Sequence, residues 1–154
     1  MATTALGGSA IVQTGNPINV VDGGGGTYYG TGTSRASFAP GATAQSATLS
    51  GRTEGRLLEY FNTASFVSGG TLYGNTGRNI LRGPTQRDVD IGLTKYIPVH
   101  DNLNLEFRAQ AFNISNTPNF QNPASDIGTA STFGVITATA GNPRILQFAL
   151  KLTY

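Results

Sequence analysis

Cysteine and tryptophan are absent from this chain, histidine and methionine occur once each, and charged residues make up only 12% of it. Without cysteine there is neither a disulfide framework nor a thiolate metal site. A single imidazole, His100 beside Asp101, supplies no metal-ligand spacing and no local catalytic triad. It reads as an exposed turn residue. Asp88 and Asp90 share one strand parity, but nothing nearby completes an acid–base pocket. A net charge of +2, dispersed along the chain, is too small to imply a nucleic-acid partner. No apolar run approaches the ~18 residues of a membrane-spanning helix. These absences predict a chain that is not an enzyme and carries no cofactor.

The amino terminus is also sparse. No Lys or Arg precedes Arg35, and residues 1–8 have no continuous apolar core, so they do not read as a secretory leader. The expectation is a fragment of a longer exported protein, with Met1 an internal or artificial start.

What is abundant is glycine, 21 residues of 154, against an average of roughly 7%. Thr, Ser and Asn accompany it. Low charge without high hydrophobicity suits an all-β wall with polar loops. Residues 9–21 form an imperfectly alternating strand that Pro17 must break, bulge or confine to an edge. Residues 23–87 read as one long, flexible Gly/Ser/Thr-rich loop, with a short helix over 52–62. The run of glycines at 23–26 invites a phosphate-loop reading, but no Lys-Ser/Thr and no amphipathic helix follow. Arg78, Arg82 and Arg87 form a small basic group, read as solvated in preference to ligand-anchoring.

Three segments carry a period of two. In residues 88–96, Val89, Ile91 and Leu93 alternate with Asp90, Gly92 and Thr94. In 102–112, Leu103, Leu105, Phe107, Ala109 and Ala111 oppose Asn104, Glu106, Arg108 and Gln110. In 144–154, Leu146, Phe148, Leu150, Leu152 and Tyr154 oppose Gln147, Ala149, Lys151 and Thr153. Each run suits the ~9–11 residues of a tilted transmembrane strand. Residues 113–142 are a turn-rich loop.

Taking 97–101 as the first hairpin turn sets Ile91 against Phe107, Leu93 against Leu105, Val89 against Ala109 and Asp90 against Arg108. Aligning the last two strands sets Glu106 against Lys151. Asp90, Glu106, Arg108 and Lys151 then share one face. A basic side chain facing lipid costs roughly 2–4 kcal/mol, so this face is expected to line the lumen. A structural charge ladder is favoured there over a substrate-lining surface.

The aromatic-ended last strand resembles the carboxyl-terminal strand of bacterial outer-membrane β-barrels. Gly77-Arg-Asn-Ile-Leu-Arg-Gly-Pro84, Phe107-Arg-Ala-Gln-Ala-Phe-Asn113, Thr117-Pro-Asn-Phe120 and Asn142-Pro-Arg144 precede or join it in fixed order. Together they resemble the last strands of TonB-dependent transporters, in particular Oar-like receptors carrying a carboxypeptidase-regulatory-like domain. The resemblance is good over residues 59–154 and weaker over 8–22. It implies an antiparallel meander forming an arc of an incomplete transmembrane barrel in the bacterial outer membrane. It further implies energised uptake of a scarce, bulky nutrient, either a metal chelate or a glycan. Leu146, Phe148, Leu150, Leu152 and Tyr154 would be the signal read by the barrel-assembly machinery. Outer-membrane lipid would be a second partner, and TonB would be reached only through regions outside this chain. A self-contained β-rich surface protein, an adhesin or small barrel, is the alternative reading, and a soluble binding module the third.

Overall fold

In the computed structural model the described residues are 2–23, 34–69, 73–100 and 103–154. The strands are β1 (Thr3–Gln13), β2 (Pro17–Ile18), β3 (Val21–Asp22), β4 (Ser34–Arg35), β5 (Ser37–Phe38), β6 (Phe66–Val67), β7 (Leu81–Arg82), β8 (Gln86–His100), β9 (Leu103–Phe112) and β10 (Ile145–Thr153). The chain divides into two units. One, Met1–Gln13 with Gln86–Asn119 and Ala140–Tyr154, contains the long strands; the other is Thr14–Thr85 with Phe120–Thr139.

The first unit is a four-stranded antiparallel sheet in the order β1-β8-β9-β10. It is an open arc and does not close on itself. β1, β9 and β10 are 11, 10 and 9 residues long, the length of a tilted span. β8 has 15 residues and overruns that length. The first strand lies earlier than the alternation over 9–21 suggests: it occupies Thr3–Gln13, with Leu6 opposite Leu93 and Gln13 opposite Gln86. Pro17 lies outside it and opens a separate ladder, opposite Arg82.

The β8–β9 register differs from the expected one by four residues. Pairing continues through residues 97–100, within the stretch where the sequence predicts a turn: Ile97 lies opposite Leu105 and His100 opposite Leu103. A register irregularity falls between Pro98 and His100, and a bulge is where a strand tolerates a residue without an N–H. Leu93 therefore faces Ala109, and Arg108 faces Thr94 in place of Asp90. Because the displacement is even, every side chain keeps its face. The β9–β10 register has Lys151 opposite Glu106, as end alignment predicts.

The second unit corrects the flexible-loop reading of 23–87. Residues 24–33, with most of the glycine run, and 70–72 lie outside the described residues. The rest of this unit has its own core: Ile18, Val20, Ala36, Ala47, Tyr60, Phe61, Phe66, Leu81, Phe133 and Ile136 are all buried. Phe61, Phe66 and Phe133 meet edge-to-face, at centroid distances of 5.7, 5.2 and 6.1 Å, the arrangement that ring quadrupoles favour. Phe38 stacks on Phe66 at 5.5 Å. Backbone groups are satisfied by long-range bonds in place of extended ladders. Tyr60 N–H donates to Gly134 O (2.8 Å), Ile136 N–H to Leu57 O (2.8 Å) and Val21 N–H to Ser125 O (2.9 Å). Buried Asp22 accepts from the Ser68 hydroxyl and the Gly69 amide, which offsets the cost of removing a carboxylate from water.

Helical structure in this unit is short. Helix α1 (Ala44–Ala47) starts at a Thr43–Ser46 capping box. The helix expected over 52–62 is only a 3-10 turn, Thr53–Arg56, with Gly55 in it. Glycine matters more where the insertion leaves and returns. A Cβ on Gly15 would lie 1.7 Å from the Gly83 carbonyl oxygen, and Gly83 N–H donates to Asn16 O at 2.9 Å. Only hydrogen fits between these two backbones.

Two outcomes are expected. Phe61→Ala removes a ring shared by two aromatic contacts and should cost about 3–5 kcal/mol. Amide exchange at Tyr60 and Ile136 should accelerate while β9–β10 amides stay protected. Wild-type exchange at those positions as fast as in a free peptide would restore the flexible-loop reading. Burial also raises the Tyr60 pKa above its ordinary 10.0, partly opposed by Arg56. The folded-state value is thus above the unfolded one. The corresponding stability is complete below pH 10.0 and is lost as pH rises through the higher folded value. Phenolate absorbance should show a late-ionising tyrosine that Tyr60→Phe removes.

Candidate functional site

The period of two gives the sheet two chemically different faces, and pairing assembles them across strands. On one face Phe107 lies opposite Leu150, Ala109 opposite Phe148, Leu105 opposite Leu152 and Ala111 opposite Leu146. The Phe107 and Phe148 rings stack at 6.4 Å. Leu6, Ile91, Leu93 and Ile97 extend the same face. Leu146, Phe148, Leu150 and Leu152 are 59, 68, 69 and 55% exposed, and Tyr154 is 97% exposed. In water such a continuous apolar surface is unfavourable; against hydrocarbon it is the matching solvent. Lys95 shares this face, toward the end at which β8 gives way to β9, where a long stem allows its ammonium to reach a polar interface.

The opposite face carries the charges. Glu106 is buried, lies between Tyr96 on β8 and Lys151 on β10, and forms an ion pair with Arg108 two residues along its own strand. Glu106, Arg108 and Lys151 therefore form one group. Asp90 has the same parity but stands apart, because the actual register carries it past the end of β9. Its carboxylate accepts from the Asn113 amide at 2.9 Å.

That contact belongs to a set of asparagines which alternation could not reveal. Asn113 adopts φ 47°, a left-handed conformation that Asn tolerates better than most residues. Its Oδ1 accepts from Thr117 N–H (3.1 Å), and its Nδ2 donates to the carbonyls of Thr117 (3.2 Å) and Asn142 (3.1 Å). Ile114 N–H reaches Val89 O at 2.9 Å. Asn119 then acts as a strand substitute: its Oδ1 accepts from Arg87 N–H (2.7 Å) and its Nδ2 donates to Arg87 O (2.9 Å). These bonds satisfy the part of β8 that overruns β9. The sequence signal was available in Asn-x-x-Asn-x-x-Asn over 113–119, directly after a strand end, but its meaning requires the partner strand.

The three arginines of the basic group separate. Arg78 and Arg82 lie in the compact unit and Arg87 in β8. His100 closes β8 opposite Leu103. Asp88 is exposed on β8, opposite Ile11. Among the described residues, no group of three or more His, Asp or Glu side chains is placed to hold a metal ion. No helix there is long and apolar enough to cross a membrane.

Both long insertions leave the same end of the sheet. One joins Gln13 to Gln86, which are paired, and the other joins Phe112 to Ile145, also paired. At the other end only two residues of sequence separate β8 from β9, and His100 lies opposite Leu103. Short turns at one end and long connections at the other are the pattern of outer-membrane barrels. Comparison with protein families agrees: a model described as "Outer membrane beta barrel domain" matches residues 5–147, spanning both the strands and the compact unit. No curated protein and no solved structure matches the chain. The chain belongs to the outer membrane beta barrel domain family, an all-β protein of the bacterial outer membrane.

Proposed function

We propose that the four strands are an arc of the barrel wall of a TonB-dependent transporter that imports a scarce, bulky nutrient, either a metal chelate or a glycan. The observation that carries this reading is the division of labour across the sheet: an exposed apolar face backs a face bearing Glu106, Arg108 and Lys151. On this reading the charged face lines the lumen with Asp90 above it, and the Gly/Ser/Thr-rich insertions form the cell-exterior surface. The ordered motifs over residues 59–154 favour the transporter over other outer-membrane barrels. Large transporters of this kind have about 22 strands around a plug. Four strands are then a small part of the wall, and the remaining strands and the TonB contact lie outside this chain.

The test is genetic. Deleting the gene should abolish growth on one limiting metal chelate or glycan, and deleting TonB should reproduce that defect for the same nutrient. A substrate defect that persists unchanged in TonB-plus and TonB-null strains, or no nutrient defect at all, would exclude the transporter. The separately cored exterior unit also suits a surface adhesin. That reading predicts a TonB-independent attachment defect instead.

The terminal strand is assigned as the assembly signal through Leu146, Phe148, Leu150, Leu152 and Tyr154. Phe148→Asp places a carboxylate on the lipid-facing side, and deletion of Tyr154 removes the terminal aromatic. Both should lower the yield of heat-modifiable, membrane-inserted barrel, whereas Thr153→Ser on the polar face should leave it unchanged. Normal yield without Tyr154 would mean that the strand is not read as a signal, since a frayed last residue is usually dispensable.

A further inference from the structure

The compact unit contains a cavity of about 140 Å³ with walls of two kinds. Phe61, Ile80 and Leu81 supply apolar surface, while Arg56, Arg82 and Tyr60 supply polar groups. Arg56 is held in place from several sides. Its Nη1 donates to the carbonyls of Leu49 and Tyr60, its Nη2 donates to Gly51 O at 2.9 Å, and its guanidinium carbon lies 4.8 Å from the Tyr60 ring centroid.

Two features of this arrangement are incomplete. Arg56 Nε is buried and has no hydrogen-bond partner among the described residues. A buried donor left unpaired is unfavourable, the more so on a charged group. The cavity is also lined by two guanidinium groups and no carboxylate. The nearby Glu54 is directed to Arg52, at 3.5 Å, and so does not neutralise Arg56. Backbone carbonyls solvate the Arg56 cation but leave its charge uncompensated.

We propose that this cavity binds a small, flat monocarboxylate, or the carboxylate-bearing end of a larger ligand. A carboxylate supplies the negative charge that the cavity walls of Arg56 and Arg82 lack, in the planar geometry that guanidinium matches. The apolar wall of Phe61, Ile80 and Leu81 takes the ring or chain attached to it. Inorganic phosphate fits less well, because it would bring oxygen atoms against that wall with nothing to donate to them. This inference rests on the cavity alone and is independent of whether the barrel is a transporter.

The experiment uses the full chain refolded in detergent micelles and para-fluorobenzoate as probe, observed by fluorine NMR. Broadening of the probe signal is expected, reversed by unlabelled benzoate but not by benzamide, its neutral counterpart, or by inorganic phosphate. Arg82→Gln, an exposed position, should weaken binding about tenfold, the scale of one charge-assisted hydrogen bond. Ile80→Trp, which fills the cavity, should abolish it. In both variants amide protection at Tyr60 should match the wild type, showing that the unit remains folded. Equal displacement by benzamide, or equal broadening in both variants, would reveal mere partition into micelles and overturn the proposal. So would displacement by phosphate in place of benzoate, or absence of broadening. Wild-type protein whose Tyr60 and Ile136 amides are unprotected would overturn it too, because the walls of the cavity would not exist.

Discussion

Backbone hydrogen bonding in a medium without water is the constraint on which this molecule depends. An N–H or C=O that faces hydrocarbon unpaired costs several kcal/mol, so strands must pair along their whole length. Pairing in turn forces successive side chains to opposite faces, and one face must then be apolar throughout. β9 and β10 meet both demands together: Phe107, Leu150 and Phe148 occupy one side while Glu106 and Lys151 face each other on the reverse. A shift of one residue would expose the Glu106–Arg108 pair to lipid. A shift of two or four keeps the faces and changes only the partners, which explains why polarity constrains parity far more strongly than it constrains register.

The same constraint accounts for the rim. β8 is 15 residues long and β9 only 10, so β8 continues past the end of its neighbour. The Asn119 side chain replaces the missing strand at Arg87, the Ile114 N–H reaches Val89 O, and the Asp90 carboxylate accepts from the backbone N–H of Asn113 where the chain turns away. A carboxylate that looks like part of a charge ladder is therefore a capping group. The compact unit follows a different rule. It has few ladder bonds and is held by a cluster of phenylalanines together with backbone bonds between residues far apart in sequence.

These two rules explain what could be read in advance. The strands of 88–96, 102–112 and 144–154 were visible because their cores are local, with each apolar residue two positions from the next. Their ends were less visible: Pro98 looks like a turn residue until a bulge accommodates it. The facing of Glu106 and Lys151 was legible from strand ends alone, whereas Asp90 and Arg108 were separated by the four-residue difference in the hairpin. The compact unit was illegible because Ile18, Ala36, Phe61, Leu81 and Phe133 come from distant segments and obey no period. Arg56, half-buried against the Tyr60 ring, was illegible for the same reason, although Arg82, which lines the same cavity, belongs to a basic group visible in the sequence.

The contact between Gly15 and Gly83 has a wider meaning. It brings the two chain ends of a long excursion together before that excursion begins, much as the base of a purse is drawn by its string. The Phe120–Thr139 bridge does the same for the other excursion. What lies beyond each closure can grow, shrink or be exchanged without pulling on the strands that carry it. Each excursion can then change in length or sequence while the paired strands keep their register.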